Sequence, residues 1–328
     1  MTKPIHCEIL DPTEFNLRCC ADFLRRGEVL GVPTETVYGL AGNALCDTTV
    51  RKIFAVKGRP FIDPLIVHFS SIDEAAVHVD FNDRARALAK QFWPGALTLV
   101  LPKKSSIPDI VTAGLPSVAI RVPEHRIFRS LLDQVDFPLA APSANPFGYV
   151  SPTLAIHVKA TLGERIPAVL DDGPCKYGVE STIVDLRNPN MPAILRPGPI
   201  SARALGIKIN VGSDNASEEN AQVAPGMLTQ HYSPKAKIIL FPHSSSAGVV
   251  MPGGAIIYNK KPPEKALQAH TYWLSENGDL EEIAHNLFMV IQKLDQASYT
   301  QLLIERTQEA GIGIAVNDRL RRSATQPE

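Results

Sequence analysis

Three polar stretches decide how this chain is interpreted: PTETVYGL at residues 33–40, KGRPFIDPL at residues 57–65 and APSANP at residues 141–146. Each stretch lies beside an apolar run with the length of a β-strand. Together they supply cations, hydroxyl groups, and the glycines and prolines that form turns. Because binding sites are usually built on loop ends of a rigid sheet, this set suits a cleft that holds a nucleotide and a small polar molecule.

Strand-like and helix-like segments alternate irregularly around these stretches. Apolar runs, many of which end at a proline, predict strands at residues 28–33, 64–69, 96–102, 117–123, 138–144, 167–173, 181–186 and 193–198. Apolar residues at helical spacing predict helices at residues 13–27, 47–57, 73–79 and 83–92, the second with Asp47 as its N-cap. The order predicts an α/β fold with a twisted mixed sheet and packed helices, rather than a regular doubly wound series.

A polar segment without periodicity, residues 208–226, predicts a domain boundary. We expect residues 1–207 to form the first domain and residues 208–236 to form a linker that acts as a lid. Residues 237–328 are then a small C-terminal α/β domain of the Rossmann-like kind. In this last part, residues 280–295 have the apolar face of an amphipathic helix.

Composition excludes several classes of protein. The chain has 328 residues, 45% of them hydrophobic and 20% charged, so it contains enough apolar side chains for a full core. A net charge of −1 argues against a protein that binds mainly nucleic-acid backbone. Five cysteines without a CxxC pair fit a reduced compartment better than a disulfide framework or a zinc site. We see no signal peptide and no long apolar run, so we expect a cytoplasmic protein without a membrane span.

Several common signatures are missing from the sequence. It contains no GxxxxGK[ST] phosphate loop, no GxSxG and no HExxH. Residues 311–313, GIG, lack the third glycine and the downstream acidic residue of a dinucleotide fingerprint, which argues against a redox Rossmann enzyme.

Lys57 and Arg59 flank a glycine where a predicted helix ends. One interpretation is a solvated helix terminus, at which cations favour the helix dipole. The other is a phosphate clamp, in which lysine is a point charge and arginine a planar fork. Both interpretations stay open for this segment taken alone.

Ser143 and Asn145 follow a strand and stand between two prolines. They form either a simple turn or a pair of polar groups for phosphate oxygens or a metal-bound water. Ser151 could add a hydroxyl group to the same pocket.

Other polar residues have equally open interpretations. The series from Thr34 to Tyr38 could cap a following helix. His68 ends a predicted strand and could be a half-buried histidine without a function. Arg121 alternates out of the strand SVAIRVP and could face solvent.

Taken in order, the motifs are specific where each alone is not. KGRP with PLIVH, WPGALTLVL, VAIRVP, APSAN, GVESTIVD, LRPG and HYSP resemble the YrdC-like family. HYSP and the additional domain resemble its longer, two-domain branch, the L-threonylcarbamoyladenylate synthases. The resemblance extends over nearly the whole chain.

The resemblance implies roles for individual residues. Its lysine, arginine, serine and asparagine motif, the implied catalytic set, falls on Lys57, Arg59, Ser143 and Asn145. The implied ATP-binding set is Lys57, Arg59, Asp63, Ser117, Ser143, Ser151, Arg196, Tyr232 and Ser233. The implied threonine-binding set is Thr36, His68, Arg121, the backbone of Ala141, and Ser181. Asp63 departs from the family pattern, since many relatives have Asn there, and an anionic side chain would repel phosphate unless Mg²⁺ intervened.

The implied reaction joins L-threonine, bicarbonate or CO₂, and ATP into L-threonylcarbamoyl-AMP with release of pyrophosphate. The implied cofactor is Mg²⁺, held through the ATP phosphates. The product would pass to a tRNA threonylcarbamoyl transferase, with weak or no direct tRNA binding. An alternative is a tRNA- or ribosome-associated RNA-binding module without this chemistry, which the near-neutral charge and the scarcity of stacking aromatics disfavour. Another is carbamoyl-adenylate chemistry of the hydrogenase-maturation type, but the chain lacks the zinc-finger and acyl-phosphatase-like segments of those enzymes.

Overall fold

A computed structural model describes residues 7–207, 222–226, 231–244, 252–264 and 267–324. Most of the predicted linker, residues 208–221 and 227–230, lies outside these ranges. Among the described residues, no helix has both the length and the apolarity that are needed to cross a lipid bilayer.

Ten strands form one large sheet. They are β1 (Glu8–Leu10), β2 (Leu30–Val32), β3 (Gly39–Asn43), β4 (Ile66–His68), β5 (Leu97–Pro102), β6 (Ser117–Arg121), β7 (Leu139–Ala140), β8 (Ala168–Leu170), β9 (Thr182–Asp185) and β10 (Ala193–Arg196). Their spatial order is β1-β8-β2-β3-β7-β4-β6-β5-β9-β10. Parallel pairs such as β4–β6 and β5–β9 mix with antiparallel pairs such as β3–β7 and β5–β6, which confirms the mixed sheet.

Among the described residues, six α-helices connect these strands and a seventh follows β10. They are α1 (Glu14–Arg25), α2 (Asp47–Lys57), α3 (Ile72–His78), α4 (Asp83–Phe92), α5 (Arg126–Leu132), α6 (Ala155–Leu162) and α7 (Ala202–Leu205). The four predicted helices are confirmed. The N-cap prediction for α2 is wrong, because Cys46 occupies that position and Asp47 is the first helical residue. Gly58 ends α2 in the left-handed conformation, with φ of 63°.

Strand β3 corrects one interpretation of PTETVYGL. The stretch does not cap a helix but turns into an antiparallel strand beside β2. A Cβ at Gly42 of β3 would lie 2.8 Å from Thr49 Cγ2 and 3.0 Å from Val29 Cγ1. Glycine therefore allows helix α2 to pack close to the sheet, which fixes the place where α2 ends.

The C-terminal part has a second, smaller sheet. Its strands are β11 (Lys237–Phe241), β12 (Gly254–Lys260), β13 (Thr271–Ser275) and β14 (Gln301–Glu305), and its helices are α8 (Leu280–Gln296) and α9 (Gly313–Ala324). The order is β11-β14-β12-β13 and every pair is parallel. Parallel strands need crossover connections, as in Rossmann-like folds. The predicted α/β character of this part is confirmed.

The two sheets share one continuous apolar cluster. Val37, Val150 and Val179 of the first part pack with residues of α8 such as Leu287 and Phe288. Gly178, with φ of 71°, comes so close to α8 that a Cβ there would lie 2.5 Å from the carbonyl oxygen of Ala284. The contact between the two parts is therefore a packed core and not a loose surface.

Candidate active site

A cavity opens where the polar ends of several central strands meet the C-terminal part of the chain. Its lining includes Thr34, Thr36, Val37, Gly39, Arg59, Ile66, His68, Arg121, Ala141, Pro142, Ser143, Glu180, Ser181, Arg196, Pro225, Gly226, His231 and Tyr232. All five implied threonine-binding residues are in this lining. Of the implied ATP-binding residues, Arg59, Ser143, Arg196 and Tyr232 line it as well.

Arg121 stands on β6 and is 3% exposed, so the solvent-facing alternative is wrong. It is buried because both faces of a central strand are covered. Its guanidinium group donates to the carbonyl of Gly95 at 3.0 Å and to the hydroxyl of Thr36 at 3.0 Å. A third nitrogen lies 2.6 Å from Glu35 Oε1. The cation is therefore compensated and fixed before any ligand enters.

Glu35 lies behind this corner of the cavity, and His68 lines it. Burial raises the pKa of the Glu35 carboxyl, but Arg121 and the backbone amide of Glu124 outweigh burial and hold the pKa below its usual value. His68 lies directly opposite Arg121 in the β4–β6 pair. Burial, together with the nearby Arg121, lowers the pKa of His68 to about 3, so its imidazole is neutral at physiological pH.

Lys57 is 2% exposed, so the interpretation as a solvated helix terminus is wrong. Its ammonium group donates to the carbonyls of Ser143 and Asn145, at 2.6 Å each. Burial and the neighbouring Arg59 bring the pKa of Lys57 well below its ordinary value. Lys57 lies behind the cavity lining and joins the KGRP and APSAN segments into one unit.

Arg59 and Asp63 form a buried ion pair in KGRPFID. Arg59 Nη2 lies 2.9 Å from Asp63 Oδ1, and the guanidinium group also donates to the carbonyls of Asp63 at 2.9 Å and Pro64 at 2.6 Å. Burial raises the pKa of Asp63, against the opposing effect of Arg59, Lys57 and Arg196. Arg59 lines the cavity, whereas Asp63 lies behind it.

Four other implied ATP-binding or catalytic residues lie outside the cavity lining. Asn145 donates to the carbonyls of Pro146 at 2.8 Å and Tyr149 at 2.9 Å, which fixes its turn. Ser151 donates to Glu180 at 2.5 Å. The hydroxyls of Ser117 and Ser233 are buried and have no hydrogen-bond partner among the described residues.

Ser181 and Arg196 connect the two groups of candidate residues. Arg196 donates from Nε to the carbonyl of Ser181 and from Nη2 to its hydroxyl, both at 3.1 Å. The same hydroxyl lies 2.7 Å from that of Thr98. The N–H of Ala141 is bonded to Ile66 at 3.2 Å, so a ligand at Ala141 would meet its carbonyl group.

The end of the predicted linker contributes to the same cavity. Tyr232 is 1% exposed and adopts φ of 65°, which is uncommon for a residue other than glycine. His231 lies beside it, with ring centroids 4.1 Å apart, and burial lowers the pKa of His231 to about 3. The N–H of Ser233 donates to the carbonyl of Gly148 at 2.8 Å.

Sequence reasoning did not assign Glu35, Glu180, His231 or Arg319. The first three belong to quoted motifs (PTETVYGL, GVEST and HYSP), so their signal was present but had no stated role. Glu180 accepts a hydrogen bond from Arg319 of helix α9 at 2.8 Å. The two residues are 139 positions apart in the chain, so local sequence patterns do not predict their pairing.

Comparison with known proteins identifies the family of this chain. Residues 22–198 match the model of the Sua5–YciO–YrdC family, which is described as telomere recombination. Residues 199–325 match the model for the threonylcarbamoyl-AMP synthase C-terminal domain. The threonylcarbamoyl-AMP synthase of Pyrococcus abyssi is 38% identical, over 95% of this chain and 94% of its own. The enzyme of that name from Bacillus subtilis is 36% identical, over 93% and 91%.

Solved structures are similar to the same two parts of the chain. The crystal structure of P. abyssi Sua5 complexed with L-threonine is 34% identical, with a TM-score of 0.85 over 98% of this chain and 97% of that one. Escherichia coli YciO, 18% identical with a TM-score of 0.53 over 62% of this chain, supports the fold of the first part alone. The chain therefore belongs to the two-domain Sua5–YrdC family of threonylcarbamoyl-AMP synthases and is an enzyme of the transferase class.

Proposed function

We propose that this enzyme makes L-threonylcarbamoyl-AMP from L-threonine, bicarbonate or CO₂, and ATP, and releases pyrophosphate. The observation that carries the proposal is one cavity lined by three buried arginines, Arg59, Arg121 and Arg196. A cavity with this charge suits a ligand with several anionic groups, such as a carboxylate together with a polyphosphate. The names of the relatives and the threonine complex of the P. abyssi protein support the same substrates.

The corner around Arg121 suits the amino acid. A guanidinium group that is already oriented can grip a carboxylate with two parallel hydrogen bonds. Thr36 and Ser181 offer hydroxyl groups, and Ala141 offers a carbonyl group that could accept from an amine. Ile66 is an apolar neighbour that suits the threonine methyl group. Because His68 is neutral, it can orient a polar group without adding a second cation.

The corner around Arg59 suits the nucleotide. Arg59 and Arg196 line the cavity, and Lys57 lies directly behind Ser143. Phosphate oxygens would replace Asp63 as partners of Arg59 and would supply the anion that the buried Lys57 lacks. Tyr232 covers the same cavity from the linker side and could close over the bound nucleotide.

The proposed chemistry has two steps. The threonine amine attacks the carbon of CO₂ and loses a proton, or attacks bicarbonate with loss of water, and becomes a carbamate. A carbamate oxygen then attacks the α-phosphorus of ATP, and the bond to the pyrophosphate leaving group breaks. The chain contributes positioning and charge stabilisation in a dry cleft, without a covalent enzyme intermediate.

Mg²⁺ is proposed to enter with ATP, where it would supply charge neutralisation to the phosphates. The carboxylate of Asp63 is paired with Arg59 and accepts no other hydrogen bond among the described residues, so it is the residue of this chain that we would test as a ligand to the ion. The wider setting is also a proposal: a cytoplasmic enzyme whose product serves threonylcarbamoyl-adenosine formation through a tRNA threonylcarbamoyl transferase, with little direct tRNA binding.

The proposal is tested by incubating the protein with α-labelled ATP, threonine and bicarbonate, and following the labelled adduct and pyrophosphate. Serine is the matched control, since one methyl group in a shaped apolar pocket is worth about 10- to 200-fold in discrimination. We expect adduct formation that requires both threonine and bicarbonate. Tight RNA binding without adduct formation would instead support the RNA-binding alternative.

A further inference from the structure

Arg319 stands on helix α9 of the C-terminal part and reaches residues that line the cavity. Its side chain is 0% exposed and is among the largest fully buried side chains of the described residues. The guanidinium group donates from Nε to Glu180 at 2.8 Å, and from Nη1 to the carbonyl of Pro197 at 2.9 Å and to Asp318 at 2.7 Å. Glu180 and Pro197 belong to the first part of the chain, so the contact crosses between the two parts.

A buried ion pair of this kind is a poor device for stability alone. Removing two charges from water costs several kcal/mol per ion, and well-packed apolar residues often serve equally well. What such a pair does provide is orientation, since the planar fork fixes each acceptor that it meets. Arg319 orients two groups at the cavity in this way.

Glu180 is the first of these groups, and it lines the cavity. One of its oxygens accepts from Arg319, and the other accepts from the hydroxyl of Ser151 at 2.5 Å. The carbonyl of Ser151 in turn accepts from Gln292 of helix α8 at 2.8 Å. Helix α9 thus holds Glu180 through Arg319, and helix α8 holds Ser151 through Gln292.

Tyr232 is the second group. Its ring lies 5.4 Å from the guanidinium carbon of Arg319 and stacks on Phe288 of α8, with centroids 5.5 Å apart and planes at 25°. Its left-handed backbone is unfavourable without tertiary support. Arg319 and Phe288 supply that support and direct the end of the linker into the cavity.

We propose that Arg319 is a positioning residue of the active site, which fixes Glu180 and Tyr232 and through them the nucleotide half of the cavity. The assignment of that half to nucleotide rests on the proposed function. The C-terminal part of the chain then contributes to ligand binding, because its helix α9 carries the side chain that holds Tyr232 in place.

The charged groups around Glu180 control the pKa of its carboxyl group. The charged and titratable groups around it are Arg319, Arg196, Lys57, His231 and Tyr232. Asp318 lies next to them as the second carboxylate paired with Arg319. Although burial acts to raise it, the pKa of Glu180 is lowered to about 2, chiefly by Arg319. Replacing Arg319 by glutamine raises this pKa, so Glu180 takes up a proton at a higher pH. The nucleotide affinity of the variant should then vary with pH over a range in which that of the wild type is constant.

The test compares Arg319→Gln with Arg321→Gln, a change two residues along α9 at a side chain that is 51% exposed. Amide exchange of residues 231–236 reports the placement of Tyr232 without any need for turnover. Loss of charge-assisted hydrogen bonds worth about 1.5–3 kcal/mol predicts at least about tenfold faster exchange in Arg319→Gln. The same variant should raise KM for ATP by about tenfold and change KM for threonine by less than about threefold. Arg321→Gln should match the wild type.

Unchanged exchange and unchanged KM for ATP in a folded Arg319→Gln variant would overturn the proposal. Equal losses for ATP and threonine would also overturn it, since they indicate a general structural role. If Arg319→Gln does not fold, Arg319→Lys decides: it keeps the charge but not the fork, so we expect a smaller rise in KM for ATP, and wild-type values would refute the role. A wild-type protein that makes no adduct would refute the proposed function, while the exchange measurement would still decide the role of Arg319.

Discussion

The two cationic corners of the cavity are built in opposite ways. Arg121 is the last residue of the central strand β6, and Glu35, Thr36 and Gly95 already occupy its guanidinium group. Lys57 and Arg59 lie where helix α2 ends, and backbone carbonyls hold most of their donors. The strand corner is charge-compensated before a ligand arrives, whereas the helix-end corner has two cations beside the single carboxylate of Asp63. The first suits a small ligand that must be oriented, and the second suits a polyanion that must be neutralised.

The strongest way to test this contrast is to remove a cation from the helix-end corner. We expect Lys57→Met to lower the rate of adduct formation by about 10²–10³, since it removes a donor from a site where charge develops. Threonine binding, which depends on the other corner, should be retained. Single-turnover kinetics and threonine titration measure the two quantities.

Lys52→Met is the matched control for this change. Lys52 lies on the same helix α2 and is about a third exposed, so its loss should leave the rate unchanged. A Lys57→Met enzyme with the wild-type rate would show that the helix-end corner does not act on the phosphates.

The converse change is Arg121→Ala in the strand corner. We expect the loss of threonine affinity to be about 10- to 100-fold while ATP still binds, because charged hydrogen bonds are worth about 1.5–3 kcal/mol. Calorimetric titration measures both affinities, and unchanged threonine affinity would refute the assignment.

Arg121→Ala also leaves Glu35 buried without its cation, which destabilises proteins by about 3–5 kcal/mol. The double variant Arg121→Ala with Glu35→Gln removes that charge. It should recover stability in thermal unfolding and still fail to bind threonine, which separates binding from folding.

Asp63 is the anion of the helix-end corner, and its replacement tests how that corner is charged. If it only compensates Arg59, Asp63→Asn should lower KM for ATP by about three- to tenfold, as expected when a like charge worth about 1 kcal/mol is removed beside a phosphate. If it binds Mg²⁺ with ATP, the same variant should raise KM, with a stronger dependence on Mg²⁺ concentration. Initial rates over a Mg²⁺ series distinguish the two outcomes.

The smallest expected effect is the movement of a proton. Burial and Arg59 lower the pKa of Lys57, and a bound polyphosphate would raise it. Nucleotide binding should therefore take up a fraction of a proton at any pH between the two pKa values. Calorimetry in buffers with different ionisation enthalpies measures that uptake, and Lys57→Met should abolish it. Proton release on binding would contradict the sign.

The sequence predicted the parts of this molecule that depend on local pattern. The helices at residues 47–57 and 83–92 follow from apolar spacing and their end signals, and Lys57 and Arg59 follow from KGRP. The side chain of Arg121 was harder to place, because alternation says which residues share a face but not whether that face is covered. In a central strand of a ten-stranded sheet both faces are buried, so the alternating arginine is buried as well.

Other features could not be predicted from local sequence patterns, for physical reasons. Strand β3, GLAGN, contains two glycines and has little strand propensity. It pairs with β2 and β7, and Gly42 leaves room for the approach of α2. Helices α5 and α6 have only seven and eight residues, too few for a clear period. The pairing of Glu180 with Arg319 depends on the docking of two sheets, which a single sequence without its fold does not reveal.

Gly178 has a consequence for how such proteins can change over evolutionary time. Its missing side chain is what lets helix α8 approach, and Val150 and Val179 lie in the same shared cluster. A gene that lost the segment encoding the small sheet would expose these valines at once, so the shortened product would need polar replacements there. Conversely, chimeras that exchange the two halves between distant relatives should work only when the residues around position 178 and those of α8 are inherited together.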